Sequence, residues 1–119
     1  MKKNEKTLQA QLAKALRQAM PGSVVFRHED VMTAGIPDIS VTWHGRTFWL
    51  ELKAFGGKTR GIQALTIGRL GRVGYSGMIK FGASGQIWMM LSQNDKPAEN
   101  YVFLYLSELV QAIVEAMRR

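Results

Sequence analysis

Apolar residues recur every three or four positions near the start of the chain and again near its end, which is the spacing of one face of an α-helix. Asn4 is placed to cap the first helix, the Pro21-Gly22 pair ends it, and Ser107 is placed to cap the last one. A further helix is expected over about residues 59–72, although each of its three glycines costs up to about 1 kcal/mol relative to alanine. The apolar positions are Leu8, Leu12, Leu16 and Ala19 in the first helix and Leu109, Val110, Ile113, Val114 and Met117 in the last.

Short runs of β-branched and aromatic residues lie between these helices and predict strands. The expected strands cover residues 24–26, 76–81, 86–91 and 101–106, in addition to a hairpin over residues 38–53. The order helix, strand, hairpin, helix, strands, helix predicts an α/β fold in which a central sheet carries helices on its faces.

The hairpin is the most informative segment, because its turn decides which residues face each other. A two-residue turn at His44 and Gly45 makes Asp38 stand directly opposite Glu51. Opposed residues have Cβ atoms about 4.5 to 5.5 Å apart, so two carboxylates there repel unless a cation lies between them. Alternation separates an apolar face, made of Ile39, Val41, Trp43, Phe48, Leu50 and Leu52, from a face that carries Asp38, Ser40, Thr42, Thr47, Trp49, Glu51 and Lys53.

A third carboxylate is expected near this polar face. Three positions before Leu8, Glu5 lies on the core-facing edge of the first helix. Carboxylates grouped on one site are typical ligands of a small, hard cation such as Mg²⁺.

Composition narrows the class of partner. The 119 residues suit one domain, and a formal charge of +7 with a pI near 10.1 favours a polyanion, either nucleic acid or an anionic membrane surface. Nucleic acid is favoured because no basic amphipathic helix, lipidation motif or membrane-length apolar run is present. The lack of cysteine excludes disulfides and thiolate zinc sites, and the N-terminus has no signal-peptide core, so a cytoplasmic protein is expected.

Gly35-Ile36-Pro37-Asp38, twelve further residues and Glu51-Leu52-Lys53 resemble the motif of the PD-(D/E)XK nuclease superfamily. A glutamate on the preceding helix, a glycine-rich break after the lysine and Gln63 early in the next helix are similar to its VRR-NUC branch. The resemblance implies a single restriction-endonuclease-like domain over residues 1–119, with a central mixed sheet and a catalytic β-hairpin flanked by helices.

The resemblance also assigns roles residue by residue. The implied metal ligands are Glu5, Asp38, Glu51 and the main-chain carbonyl of Leu52. The implied catalytic residues are Asp38, Glu51, Lys53 and Gln63. The metal is Mg²⁺, with Mn²⁺ as the alternative, and the reaction is hydrolysis of DNA phosphodiester bonds.

The substrate and the assembly are less closely specified. Small stand-alone members of this branch resemble structure-specific endonucleases, so four-way (Holliday) junctions are the first expectation, and paired cuts across such a junction call for a homodimer. Flap or general DNA endonuclease activity, and a nuclease-derived module that binds DNA without cutting, are the alternatives. The expected DNA contacts are Lys58, Arg60, Arg69 and Arg72. The last helix and the strand before it either form the dimer interface or fill the core of the monomer.

Overall fold

A computed structural model describes residues 4–28, 35–57 and 61–118. Within these ranges the chain forms α1 (Glu5–Ala19), β1 (Val24–Arg27), β2 (Ile39–Trp43), β3 (Arg46–Lys53), α2 (Gly61–Val73), β4 (Tyr75–Phe81), β5 (Ile87–Gln93), β6 (Glu99–Phe103) and α3 (Leu106–Arg118). None of the described helices is both long and apolar enough to cross a membrane.

The strands form one six-stranded sheet in the order β1-β2-β3-β4-β5-β6. Strands β3 and β4 are parallel, and the other neighbouring pairs are antiparallel. Helix α2 makes the crossover between β3 and β4, as a parallel pair requires. The expected α/β class, with a central mixed sheet flanked by helices, is therefore confirmed.

The β2–β3 hairpin has the register that its turn predicts. Trp43 pairs with Arg46, and the pairing continues outward to Ile39 and Leu50, so the next step places Asp38 opposite Glu51. The turn residues His44 and Gly45 have φ angles of 51° and 77°. Positive φ at both central residues is typical of the tight turns that match the twist of a hairpin.

The main core lies between the apolar face of this sheet and the helices α1 and α3. The apolar face of the hairpin is buried as expected, since Ile39, Val41, Phe48, Leu50 and Leu52 have no exposed area. The predicted apolar positions of α3 are buried in the same core. Helix α3 therefore fills the core of this chain, and its apolar stripe is not free to form a dimer interface.

Two predicted boundaries near the C-terminus are wrong. The strand expected over residues 101–106 ends at Phe103, and α3 begins at Leu106, so Ser107 lies inside the helix and does not cap it. The carboxylate of Glu108 accepts hydrogen bonds from the backbone N–H groups of Leu104 and Tyr105, both at 3.0 Å. An acidic side chain in the first helical turn satisfies these N–H groups and turns the chain out of the sheet.

Helix α2 packs on the polar face of the sheet, and a glycine lies at the contact. A Cβ atom on Gly71 would lie 2.5 Å from the Cβ of Ser92 and 2.9 Å from the Oγ of Ser76. The same serine, Ser76, donates a hydrogen bond to the carbonyl of Ile67 in α2, at 2.7 Å. Gly71 therefore permits the close approach of helix and sheet, whereas a Cβ on Gly68 would meet no atom within 4 Å.

We expect these two glycines of α2 to respond oppositely to alanine. Gly71→Ala should lower the free energy of unfolding by about 1 to 3 kcal/mol, because the added methyl group overpacks the contact with β4 and β5. Gly68→Ala should raise it by about 0.5 to 1 kcal/mol, because alanine has the higher helix propensity and the site is open. Urea denaturation followed by circular dichroism measures both, and equal effects of the two substitutions would contradict this account of the packing.

Candidate functional site

The two acids of the hairpin are held against each other by the backbone of the opposite strand. Asp38 accepts a hydrogen bond from the backbone N–H of Leu52 at 2.8 Å, through Oδ2. Glu51 accepts one from the backbone N–H of Asp38 at 3.2 Å, through Oε1. Each carboxylate is thus positioned by the strand that carries the other one, so both side chains meet at the end of the hairpin that lies away from the turn.

The carboxylate of Glu51 is in an unusual environment for an acid. It has no exposed area, and its Oε2 has no hydrogen-bond partner among the described residues. The pKa of Glu51 is raised from its usual 4.5 to about 8, chiefly by burial. The neighbouring Asp38 contributes to this rise through a hydrogen bond that protonated Glu51 can make to it and through its negative charge, while the charge of Lys53 acts in the opposite direction. A buried carboxylate with a free oxygen requires either a proton or a cation.

Lys53 and Glu5 reach the same end of β3 from different elements. The side chain of Lys53 is almost fully buried, and Glu5 comes from the first turn of α1, which Asn4 caps as predicted. The Oε1 of Glu5 accepts from the backbone N–H of Ala54 at 3.4 Å. A Cβ on Gly57 would lie 2.9 Å from that oxygen and 3.7 Å from the Cδ of Lys53, so both side chains border the chain just after the motif.

The donors at this site fit a hard divalent cation. Asp38 and Glu51 offer carboxylate oxygens side by side, and the free Oε2 of Glu51 is buried there. Mg²⁺ is commonly bound by one or two carboxylates and several waters. In the described part of the chain, no group of three or more His, Cys, Asp or Glu side chains is arranged to hold a metal ion. The role of Glu5 as a further ligand, like that of the Leu52 carbonyl, therefore stays a prediction.

His28 lies beside the two acids on the same face of the sheet. Its backbone N–H donates to the carbonyl of Asp38 at 2.8 Å, and its Nε2 lies 2.8 Å from the Oγ of Ser40. The imidazole ring also stacks on Trp49, with 5.5 Å between the ring centroids. These contacts place His28 beside the site, whereas His44 lies in the turn, as expected.

The remaining predicted site residues lie on or near α2. Gln63 is half-buried in the first turn of this helix, and Arg69 and Arg72 are exposed further along it. Lys58 and Arg60 fall outside the described residues. The start of α2 contacts the segment before the motif, since a Cβ on Gly35 would lie 2.9 Å both from Cγ1 of Ile62 and from Oγ1 of Thr66.

The sequence alone does not assign one aromatic residue, Trp88, to this face. Hairpin alternation places Trp49 there, but the register of the sheet adds Trp88 through its pairing with Lys80, which itself pairs with Lys53. Alternation along β5 divides its side chains between two faces. Only the pairing of β5 with β4 shows which of these faces is the one that carries Glu51 and Lys53.

Comparison with known proteins adds little to this site. No protein-family model matches the chain, and no curated protein matches it. Among solved structures, the chain is similar to Hjc from Archaeoglobus fulgidus, described as a Holliday junction resolvase from an archaeal hyperthermophile, with 13% identity and a TM-score of 0.47. The match covers 88% of this chain and 98% of that one. A similarity at this level leaves the function to be argued from the residues of the site.

The raised pKa of Glu51 predicts a pH dependence of stability in metal-free protein. Between about pH 4.5 and about pH 8 the unfolded chain loses the proton of Glu51 while the folded chain keeps it. The free energy of unfolding should therefore fall as the pH rises through this window, with a contribution from Glu51 of at most about 1.4 kcal/mol per pH unit.

Denaturation in the presence of EDTA at several pH values measures this dependence. Glu51→Gln should flatten it, because the amide does not titrate, whereas Glu115→Gln on the exposed side of α3 should leave the wild-type slope unchanged. Parallel curves for wild type and Glu51→Gln would show that Glu51 titrates normally in the folded protein.

Proposed function

We propose that this chain is a metal-dependent, structure-specific DNA endonuclease, formed by one VRR-NUC-like domain of the PD-(D/E)XK type over residues 1–119. The observation that carries the proposal is the buried carboxylate of Glu51, which has a free oxygen and lies against Asp38 and Lys53. A stabilising role alone does not account for this group, because a buried carboxylate oxygen without a partner destabilises a fold. Its position is understandable if a cation completes the site.

The proposed ligands are the carboxylates of Asp38 and Glu51 and the main-chain carbonyl of Leu52, with Glu5 as a further acid. Mg²⁺ is the proposed ion and Mn²⁺ the alternative; when bound, it would lower the pKa of a coordinated water and stabilise negative charge on the phosphoryl oxygens. The hydrogen bond from the Leu52 N–H orients the Asp38 carboxylate before any ligand binds.

Lys53 and Gln63 are the proposed catalytic partners of these acids. Among the described residues, the charge of Lys53 acts on the carboxylate of Glu51, and an ammonium group there would stabilise a pentacoordinate phosphorus and orient the attacking water. Gln63 lies in the first turn of α2, which packs against the segment before Asp38, and its amide is proposed to bind the water or a phosphate oxygen.

Positive charge supports DNA as the substrate. The chain carries a formal charge of +7, and Arg69 and Arg72 are exposed on α2, the helix that crosses the face of the candidate site. Exposed arginines bind the phosphate backbone without reading sequence. Lys58 and Arg60, which precede α2 in the sequence, are proposed as further phosphate contacts.

Four-way junctions are the proposed substrate, on the basis of the sequence resemblance. Two coordinated cuts require two active sites, so a homodimer belongs to this form of the proposal. Flap or general DNA endonuclease activity uses the same site and is the second candidate. A nuclease-derived module that binds DNA without cutting is the third, and the retained lysine and acids at one site argue against it.

Cleavage of matched four-way, flap and linear DNA substrates with Mg²⁺, Mn²⁺ or EDTA tests the proposal. We expect Asp38→Asn to lower the rate by about 10²- to 10⁴-fold, because an amide is a poor ligand for a hard cation and no longer attracts it by charge. Asp95→Asn makes the same chemical change in the exposed β5–β6 turn and should cut at the wild-type rate.

Lys53→Met should also reduce cleavage by at least about 100-fold while leaving DNA affinity largely unchanged, since one buried lysine contributes little to backbone binding. Tight DNA binding by wild type without metal-dependent cutting would instead identify a binding module. Equal rates on the three substrates would remove the preference for junctions but leave the nuclease assignment intact.

A further inference from the structure

A continuous surface extends from the candidate site across the uncovered end of the sheet. Lys53 pairs with Lys80, Lys80 with Trp88, and Trp88 with Val102. The adjacent row runs from Glu51 through Met78 and Met90 to Asn100. Paired residues point to the same face of a sheet, so all eight side chains share the face of the two acids. We refer to Lys80, Trp88, Met90, Asn100 and Val102 as the shelf.

The shelf is open, whereas helix α2 covers the neighbouring row of this face. Helix α2 lies over the row that contains Ser76 and Ser92, where Gly71 permits close contact. Beyond it, 43% of Trp88, 41% of Met90 and 62% of Val102 are exposed. These residues border a cavity of about 300 Å³, which is open along one side. Exposed aromatic and apolar groups grouped in this way mark a binding surface more often than an ordinary exterior.

The indole of Trp88 is held in place by the turn between β4 and β5. A Cβ on Gly82 would lie 2.8 Å from Cζ3 of Trp88, so the ring packs directly on the backbone of the β4–β5 turn. The turn is closed by a hydrogen bond from the N–H of Gly82 to the carbonyl of Gln86, at 2.7 Å. A flat ring that is fixed at its edge and exposed elsewhere can accept a stacked ligand with little loss of side-chain entropy.

Charge distinguishes between the possible occupants of the shelf. Lys80 is exposed, and the only acid in the two rows is Glu51, which is fully buried. Two copies of the shelf facing each other across a two-fold axis would therefore bring like charges together with no acid on the shelf to compensate them. A polyanion with flat aromatic groups matches both the lysine and the tryptophan, and single-stranded nucleic acid has this chemistry.

We propose that the shelf binds unpaired nucleotides of the DNA strand next to the bond that is cut, with a base stacked on Trp88 and a phosphate at Lys80. Neighbouring strands lie about 4.8 Å apart, so Trp88, two strands from Lys53, is about 10 Å away, the length of about three stacked nucleotides. This inference rests on the proposed nuclease function and, among its candidate substrates, favours flaps and other DNA that has a single-stranded segment beside the cut.

Binding without metal tests the shelf independently of cleavage. Wild type, Trp88→Ala, Trp88→Phe and Tyr105→Ala are titrated with fluorescently labelled oligo-dT and with a fully paired duplex in EDTA. Trp88→Ala should weaken oligo-dT binding by about 5- to 100-fold and duplex binding by less than about 2-fold. Trp88→Phe should retain most of the affinity because it keeps an aromatic face, and Tyr105→Ala, an exposed aromatic off the shelf, should match wild type.

Cleavage and sedimentation complete the test. With Mg²⁺, Trp88→Ala should lower the rate on a flap with a single-stranded arm but not on linear duplex, and Lys80→Gln should reduce the salt dependence of oligo-dT binding by about one phosphate contact. Wild-type oligo-dT affinity in folded Trp88→Ala would overturn the proposal, as would a shift from dimer to monomer with no selective loss of oligo-dT binding. A failure of wild type to cut any DNA would refute the nuclease function but leave the oligo-dT comparison to decide whether the shelf binds single strands.

Discussion

The site depends on a reciprocal pair of hydrogen bonds at the open end of the β2–β3 hairpin. The backbone of Asp38 donates to Glu51, and the backbone of Leu52 donates to Asp38, so each acid is fixed by the strand that carries the other. A hairpin offers few places where two side chains can be positioned by backbone alone. The same contacts bring two carboxylates together and remove one of them from water, which leaves Glu51 protonated over much of the ordinary pH range or in need of a cation.

The two faces of the sheet have different roles. On one face, α1 and α3 cover the apolar side of the hairpin and form the core. On the other face, α2 covers only part of the surface, because it packs through Gly71 on the row that contains Ser76 and Ser92. The candidate site therefore lies between a covered region and an open one. In the proposed nuclease, the core would hold the acids rigidly while a strand of DNA approaches along the uncovered part of the sheet.

Much of the hairpin could be predicted, because its register and its two faces depend on residues that are close together in the sequence. The turn at His44 and Gly45 requires positive φ at both positions and sets the register, and strict alternation then assigns each side chain to a face. Glu5 followed from helical periodicity in the same way. The prediction failed at the start of α3. Serine is a common N-cap residue, but here the carboxylate of Glu108, and not Ser107, satisfies the N–H groups of Leu104 and Tyr105. Several residues of this segment could end the strand, and the sequence alone does not show which of them does.

By itself, the sequence determined the elements, the pairing of Asp38 with Glu51 and the kind of chemistry that two acids and a lysine can perform, because these follow from spacing along a few residues. The tertiary structure decided what depends on distant segments. Burial of Glu51 and its raised pKa require the rest of the fold, and the placement of Trp88 and Lys80 beside Lys53 requires the register of three strands. Neither is encoded in a local pattern, because desolvation and cross-strand neighbours are set by parts of the chain that meet only after folding.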